Sequence, residues 1–172
     1  MEVRHGRCRL RTVKPEDAEL LLRWENDPSV WEVSGTTRHF TPEEIEQFIA
    51  EQQAGIEICG QLRLMIENDQ DETVGAVDLF EFNPDKREAG VGILIHNPSH
   101  RRKGYAFEAL VALASYAHTT LRLDRLWCNI FPENEASLSL FRRAGYKKAD
   151  YIPQADSDWM SGRSILRFQK EL

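Results

Sequence analysis

A run of three cations followed by a glycine, Arg101-Arg102-Lys103-Gly104-Tyr105-Ala106, is the part of this sequence with the clearest chemical content. It stands between an apolar stretch and a predicted helix, so it opens that helix. The first N–H groups of a helix have no intrahelical partner and lie at the positive end of its dipole. Gly104 removes a side chain where an anion such as a diphosphate could approach the backbone, and the cations add charge-assisted contacts. The pattern indicates an anion site at a helix N-terminus, with a solvated basic turn as the alternative.

The elements that must hold this turn follow one another without a linker, repeat or low-complexity tract. The apolar residues 88–96 predict a buried strand before the turn, and 104–121 predict a helix that lies on a sheet. We expect further strands over 8–13, 61–67, 73–82 and 125–131, with two more up to Gln169. We expect further helices that begin at Pro15, at the capping box Thr41-Pro42-Glu43-Glu44 and over 134–143.

This order of elements predicts one α/β domain over residues 1–172, with a mixed, mostly antiparallel sheet of about seven strands flanked by helices. The charged tip at 68–72 joins two strands as a hairpin, so the first strands pair antiparallel. The fourth strand (88–96), the helix after it and the fifth strand (125–131) form a crossover, so these two strands should be parallel. We therefore expect helices on both faces of the sheet.

Composition excludes several classes of partner. The 172 residues include 22 Lys and Arg and 28 Asp and Glu, so the formal charge is 22 − 28 = −6, and 41% of residues are hydrophobic. The chain can fill a core, but it lacks the positive field that binds nucleic acid or an anionic membrane. We therefore expect a small-molecule or peptide partner, and neither nucleic acid nor membrane.

The cysteines and histidines give no sign of a metal site. Cys8, Cys59 and Cys128 are odd in number and far apart, so they suggest neither a disulfide framework nor a zinc knuckle. Cys128, beside a tryptophan on a predicted strand, is interpreted as a packed core thiol. His96 and His100 have the spacing of helical metal ligands, but Pro98 between them argues against that helix. No metal is expected.

The sequence favours a cytoplasmic location. The first residues, Met1 to Arg7, are charged and lack the apolar run of a signal peptide. The most apolar helical stretch, 105–118, is interrupted by Glu108 and is too short to span a bilayer.

Three short sequence motifs follow one another along the chain. The first is Trp24-x-Asn26-Asp27-Pro28-x-Val30, the second is Arg101-x-x-Gly104-x-Ala106, and the third is Asn134-x-x-Ser137-x-x-Leu140-Phe141-x-x-x-Gly145-Tyr146. The second resembles the acetyl-CoA pyrophosphate loop of the GCN5-related N-acetyltransferase (GNAT) superfamily, and the third is similar to its Asn-x-x-Ser-x-x-Leu-Tyr-x-x-x-Gly-Phe segment. The first is similar to the branch of ribosomal-protein-alanine and spermidine N-acetyltransferases. The resemblance covers about residues 9 to 168.

The resemblance implies acetyl-CoA as co-substrate and a sheet that splays between its fourth and fifth strands. It assigns the pantetheine arm to the backbone of Leu94, Ile95 and His96. It assigns the diphosphate to the turn made by Arg101, Arg102, Lys103, Gly104, Tyr105 and Ala106. Asn134 would hydrogen-bond the pantetheine, and Ser137 and Phe141 would line the thiol end. Asn134 is also a good N-cap for the helix that follows it, a role that needs no ligand.

Two residues that many members of the family use in catalysis are absent. The strand at 89–93 has no glutamate to act as base, and Phe141 occupies the position of the tyrosine that protonates the departing thiolate. The best remaining carboxylate is Asp78, in a segment similar to the matching strand of spermidine acetyltransferases. We hypothesise that Asp78 binds the substrate cation or relays its proton; a surface acid at the sheet edge is the alternative. Strand alternation predicts that Asp78 and Glu81 lie on opposite faces.

The resemblance implies an acetyl-CoA-dependent N-acetyltransferase that acts on a primary amine by direct transfer in a ternary complex. The amine is a diamine or polyamine, a peptide N-terminus or another small amine. The segment 33–39 lacks the acidic cluster with which spermidine enzymes hold polyamines. A non-catalytic acyl-CoA-binding module, suggested by the two missing residues, and transfer to a hydroxyl are the alternatives. Exposed edges of the final strands permit a homodimer.

Overall fold

The structure is a computed structural model that describes residues 2–30, 38–150 and 164–172. The strands of these residues are β1 (Glu2–His5), β2 (Cys8–Thr12), β3 (Leu62–Glu67), β4 (Thr73–Asn83), β5 (Glu88–Ile95), β6 (Arg125–Ile130), β7 (Lys147–Lys148) and β8 (Leu166–Glu171). The α-helices are α1 (Ala18–Glu25), α2 (Pro42–Gln53), α3 (Ile56–Cys59), α4 (Tyr105–Thr119) and α5 (Glu135–Arg143). Short 3₁₀ turns lie at Pro15–Asp17, Pro28–Val30 and Pro98–His100.

All eight strands form one sheet in the order β1-β2-β3-β4-β5-β6-β8-β7. The strands from β1 to β5 pair antiparallel, β5 and β6 pair parallel, and β8 pairs antiparallel with both β6 and β7. This confirms the mixed, mostly antiparallel sheet and the parallel crossover around α4. The expected count of about seven strands omitted β1, whose charged residues do not alternate with apolar ones and which forms by pairing with β2.

Alternation along β3 separates two cores. Leu64 and Ile66 belong to the larger apolar cluster, which includes α4, whereas Met65 between them belongs to a second cluster with α1 and α2. Side chains of neighbouring strand residues point to opposite faces. The helices therefore cover both faces, as predicted. The Thr41 capping box that begins α2 is confirmed, because the Thr41 hydroxyl accepts from the Glu44 N–H and the Glu44 carboxylate accepts from the Thr41 N–H.

The sheet opens between β5 and β6. These strands pair only at Glu88 with Arg125, Ala89 with Leu126, and Gly90 with Trp127, and no pairing follows in the described part of the chain. A Cβ on Gly90 would lie 2.5 Å from the Phe80 ring, so this glycine permits the close approach of that ring. Beyond Gly90, the edge of β5 that faces β6 pairs with none of the described strands, which confirms the expected splay.

None of the helices in the described ranges is long and apolar enough to cross a membrane.

Candidate active site

A cavity of about 380 Å³ lies where β5 and β6 separate. We call it the central cavity. It is lined by Trp24, Glu25, Val30, Arg63, Ala76, Asp78, Phe80, Glu81, Val91, Gly92, Ile93, Leu94, His96 and Asn129. Backbone of β5 therefore forms one side of the cavity, and charged side chains from α1, β3 and β4 form the other.

The backbone around the end of β5 is partly occupied by bonds within the chain. The His96 N–H donates to the Val74 carbonyl at 3.1 Å, and the Arg101 guanidinium donates to the carbonyls of Ile95 at 2.8 Å and His96 at 3.2 Å. Leu94 lines the central cavity. The roles of Leu94, Ile95 and His96 toward a pantetheine arm stay predictions, and the structure shows that Arg101 ties this segment to the turn that follows.

The cationic turn at residues 101–106, the predicted anion site, is called the anion turn. Arg102 and Gly104 have φ of 61° and 86°, and α4 begins at Tyr105. The first intrahelical bond runs from the Glu108 N–H to the Gly104 carbonyl at 3.1 Å, so the N–H groups of residues 105–107 precede it. Helix N-termini with such groups attract anions. Arg101 is exposed, and its guanidinium also holds the end of β5.

Arg7, in the turn between β1 and β2, braces this anion turn. Its backbone N–H and Nε donate to the Glu108 carboxylate at 3.0 and 3.2 Å, and another guanidinium nitrogen donates to the Lys103 carbonyl. Its guanidinium also lies 4.8 Å from the centre of the Tyr105 ring. No local pattern in the sequence indicates this brace, because Arg7 and Glu108 are 101 positions apart.

The third sequence motif builds the start of α5. The Asn134 Oδ1 accepts from the Ser137 N–H at 3.1 Å, so the N-cap role of Asn134 is confirmed. Phe141 is buried in the core, where its ring lies edge-on to Tyr146 at 5.0 Å. Asn134, Ser137 and Phe141 do not line the central cavity. Their contacts with acetyl-CoA stay predictions.

Asp78 lies in the central cavity, paired with an arginine. Nε and one Nη of Arg63 donate to the two Asp78 oxygens, each at 2.8 Å, and the other Nη donates to Glu25 at 2.9 Å. Burial disfavours the charge of Arg63, yet the carboxylates of Asp78 and Glu25 raise the pKa of its guanidinium above the ordinary value. The alternative interpretation of Asp78 as a surface acid at the sheet edge is wrong, because β4 lies between β3 and β5 and Asp78 belongs to an ion-pair network in the cavity.

Asp78 and Glu81 both line the central cavity, although unbroken strand alternation predicts that they lie on opposite faces. The pairing of β4 with β5 shifts register between Phe80 and Asn83, and Glu81 has a φ of 48°. Such a bulge adds a residue to one strand and redirects the side chains after it. Alternation counted along the sequence does not include this extra residue.

His96 contributes a neutral imidazole to the cavity. Its ring stacks on Trp24 at 3.9 Å with an interplanar angle of 5°, and its Nδ1 is buried without a hydrogen-bond partner among the described residues. Burial, with the nearby charges of Arg63 and Arg101, lowers the pKa of His96 to about 4. The ring is therefore uncharged near neutral pH, where it adds no positive charge to the cavity.

Cys128 lies in the core, 2% exposed, which confirms the interpretation of a packed thiol. Burial raises the pKa of Cys128, and that of Cys8, to about 12. The thiolate is the reactive form of cysteine, and it is scarce at pH 8 when the pKa is this high. The groups around these thiols do not prepare either of them to carry an acyl group.

We expect iodoacetamide at pH 8 to alkylate Cys59 in the folded protein and to leave Cys8 and Cys128 unmodified. Cys59 is partly exposed, whereas the other two are buried. Peptide mass spectrometry measures the modification, and the protein unfolded in urea is the control in which all three cysteines react. Rapid labelling of Cys128 in the folded protein would contradict the core assignment.

Neither metal binding by His96 and His100 nor the segment 33–39 adds a ligand-binding group to the described part of the site. His96 and His100 do not form part of any metal-binding group, and no cluster of three potential metal ligands occurs in residues 2–30, 38–150 and 164–172. Of the segment 33–39, whose lack of acidic residues argues against polyamines, residues 33–37 lie outside the described part of the chain.

A sheet that splays beside a parallel crossover, with an anion turn at the start of the crossover helix and a carboxylate-lined cavity in the gap, defines an N-acetyltransferase. The chain belongs to the GNAT acetyltransferase family: the model for the acetyltransferase (GNAT) domain matches residues 7–147. The family predicted from the three motifs is thereby confirmed.

Individual relatives are more distant than the family match. An N-acetyltransferase 9-like protein from Nematostella vectensis is 38% identical over 82 residues, which cover 47% of this chain and 41% of that protein, so the match spans less than half its length. A spermidine N(1)-acetyltransferase from Escherichia coli K12 is 28% identical over 141 residues, covering 80% of this chain and 72% of that protein. The structure of spermidine N-acetyltransferase from Vibrio cholerae, in complex with CoA and spermine, superposes with a TM-score of 0.82 at 21% identity over 96% of this chain and 95% of that one. These matches support the predicted fold.

Proposed function

We propose that this N-acetyltransferase uses acetyl-CoA and transfers the acetyl group directly to a small primary amine in a ternary complex, with one catalytic domain over residues 1–172. The observation that carries the proposal is the central cavity. One of its sides is the unpaired edge of β5, and the other holds the carboxylates of Glu25, Asp78 and Glu81. A thioester and an ammonium group need these two different surroundings.

The residues present fit acetyl-CoA. The turn from Arg101 to Ala106 offers N–H groups before the first intrahelical bond, together with the cations Arg102 and Lys103, and these would hold the diphosphate. The backbone of Leu94, Ile95 and His96 at the end of β5 would pair with the pantetheine arm, Asn134 would hydrogen-bond it, and Ser137 would lie at its thiol end. When bound, acetyl-CoA supplies an activated acetyl thioester.

In the proposed mechanism, much of the rate enhancement comes from backbone N–H groups and from the positioning of the two substrates. N–H groups on the open edge of β5 would donate to the thioester carbonyl, a use of fixed dipoles that needs no special side chain. Holding both reactants in one cavity lowers the barrier by about 7 kcal/mol or more in favourable cases. An alkyl ammonium has a pKa near 10.4, so the cavity must also accept the cation and receive its proton.

The groups that accept and donate protons in this site differ from those of many family members. Residues 89–93 contain no glutamate and Phe141 has no hydroxyl, so neither supplies the usual acid or base. We propose that Asp78 holds the ammonium group or relays its proton, since its carboxylate lies in the cavity and one third of its side chain is exposed. A CoA thiolate is a weak base that solvent can protonate, so the departing group needs no tyrosine.

The test of the proposed function is thiol release from acetyl-CoA against a panel of monoamines, polyamines, peptides with a free N-terminus, and aminoglycosides. Calorimetric titration of acetyl-CoA alone accompanies the assay. We expect binding without an amine and turnover with one class of the panel. An acetylated product that alkali cleaves would indicate transfer to a hydroxyl, and absence of acetyl-CoA binding would overturn the proposal.

We expect Asp78→Asn to lower kcat/KM about tenfold if Asp78 only holds the cation, and about a hundredfold or more if it relays the proton. The variant also leaves Arg63 with one carboxylate partner fewer, which makes the cavity more repellent to an ammonium.

Asp85→Asn is the matched control for this variant, because Asp85 is exposed in the turn between β4 and β5 and does not line the cavity. Steady-state kinetics and thermal melts are measured for both variants. If Asp78→Asn leaves kcat/KM unchanged for the best amine, Asp78 has no part in the reaction.

A further inference from the structure

Arg63 is the one arginine or lysine that lines the central cavity among the residues the structure describes. Its guanidinium bonds both oxygens of Asp78 and one oxygen of Glu25, all at 2.8 to 2.9 Å. The side chains of Arg63 and Glu25 are only 19% and 20% exposed. Bidentate pairs of this kind are strong, and partial burial reduces their screening by salt. Two acidic residues of the cavity therefore share one buried positive charge.

The rest of Arg63 is fixed by α2. Its backbone N–H donates to the Gln52 Oε1 at 2.7 Å, and its guanidinium lies 5.0 Å from the centre of the Phe48 ring. Contacts with α1, α2 and β4 thus hold the cation in the cavity wall. A substrate cannot displace it without breaking several charge-assisted bonds.

Glu81 differs from Glu25 and Asp78 in its exposure and its lack of an ion pair with the described residues. It is exposed to solvent and makes no hydrogen bond or ion pair with the described residues. Of the acidic residues that line the described cavity, Glu81 is therefore the unpaired one. Among the described residues, three acids line the cavity, and one of their carboxylates is unpaired and open to an incoming ammonium.

We propose that Arg63 is a specificity-determining residue, which adapts the acceptor site to amines with a single positive charge and discriminates against polyamines. The inference rests on the proposed function. A second or third ammonium group of a polyamine would have to leave water beside the Arg63 guanidinium without a carboxylate of its own. A monoamine pays no such penalty, since Glu81 and the outer side of Asp78 accept its one charge.

The experiment compares kcat/KM for butylamine and spermidine in the wild-type enzyme and in Arg63→Gln. The variant removes one positive charge and takes the Arg63 guanidinium away from the carboxylates of Glu25 and Asp78. We expect the spermidine-to-butylamine ratio of kcat/KM to rise about tenfold or more, because each extra ammonium gains attraction to the added negative charge. Arg23→Gln is the control: Arg23 lies on α1 but is exposed and does not line the cavity, so the ratio should not change.

A purely structural role for Arg63 would lower kcat/KM for both amines by the same factor, and an unchanged ratio would overturn the inference. The wild-type enzyme tests the inference even if Arg63→Gln does not fold, because a tenfold or greater preference for spermidine over butylamine also overturns it. Absence of turnover with every amine, while acetyl-CoA still binds, would overturn the proposed function and this inference together. Turnover with a constant ratio would overturn the inference alone.

Discussion

Replacing Gly104 with valine is expected to raise the dissociation constant for acetyl-CoA about 30-fold or more. Gly104 has a φ of 86° at the N-cap of α4, a conformation that a β-branched residue adopts at a cost of about 2–3 kcal/mol. Each 1.4 kcal/mol corresponds to about a tenfold change in affinity. In the variant, the turn relaxes to a backbone conformation with negative φ at residue 104. Acetyl-CoA binding must restore the positive φ, so the free energy of this change raises the dissociation constant for acetyl-CoA.

The surroundings of Gly104 add to this effect. A Cβ at this position would lie 3.0 Å from an Arg7 guanidinium nitrogen, and that guanidinium also holds the Lys103 carbonyl and the Glu108 carboxylate. A valine side chain would therefore disturb the brace as well as the turn. The N–H groups that we assign to the diphosphate would lose their common orientation.

Gly55→Val is the matched control for Gly104→Val. Gly55 has a similar φ, 90°, before the short helix α3, and it does not line the central cavity. Both variants should lose thermal stability, but only Gly104→Val should lose acetyl-CoA affinity in calorimetric titration. If folded Gly104→Val binds acetyl-CoA as the wild type does, the diphosphate has been assigned to the wrong turn.

Gly75→Ala is expected to lower the free energy of unfolding by about 2–3 kcal/mol and to weaken acetyl-CoA binding. A Cβ at Gly75 would fall well inside van der Waals distance of the Leu94 carbonyl oxygen, and 3.1 Å from the Ile95 Cα. These atoms belong to the backbone of β5 and have no freedom to turn aside. The methyl group must push β5 away from β4 at the segment that we assign to the pantetheine arm.

Gly92→Ala tests whether this effect comes from the lack of space at Gly75. Gly92 lies in the same pair of strands, opposite Asp78, but a Cβ there would come no closer than 3.9 Å to the Phe80 ring. We expect its free energy of unfolding, measured with urea, to stay within about 0.5 kcal/mol of wild type. Equal losses in the two variants would show that removal of a strand glycine, and not the clash, is the cause.

Local patterns in the sequence were enough to predict most of the helices and strands. The Thr41 capping box, the hairpin at 68–72 and the apolar strand before the cationic turn all depend on residues close together in the chain, and all are confirmed. Strand β1 was missed because its residues are mostly exposed and carry no apolar alternation. Its formation depends on the neighbouring β2, which a local pattern does not show.

The composition of the cavity was harder to predict than its position. Asp78 was identified from a motif, but its partner Arg63 lies 15 residues away on another strand, and Glu25 lies 38 residues from Arg63. The brace between Arg7 and Glu108 spans 101 residues. Ion pairs of this length depend on strand register and helix placement, neither of which is encoded in spacing along the chain.

By itself, the sequence determined the class of this protein: a splayed mixed sheet, an anion turn at the start of a helix, and the three motifs of a GNAT acetyltransferase. The mixed sheet and the turn follow from backbone conformation and apolar periodicity, which neighbouring residues set, whereas the splay was implied by the resemblance of the three motifs to that family. Only the tertiary structure decided which charges meet in the cavity. Glu81, at a bulge of β4, lines the same cavity as Asp78, and the packing of α1 and α2 on the sheet fixes the arginine partner of Asp78. Charges act through space at a few ångströms, so their effect on substrate choice is fixed only when distant segments pack together.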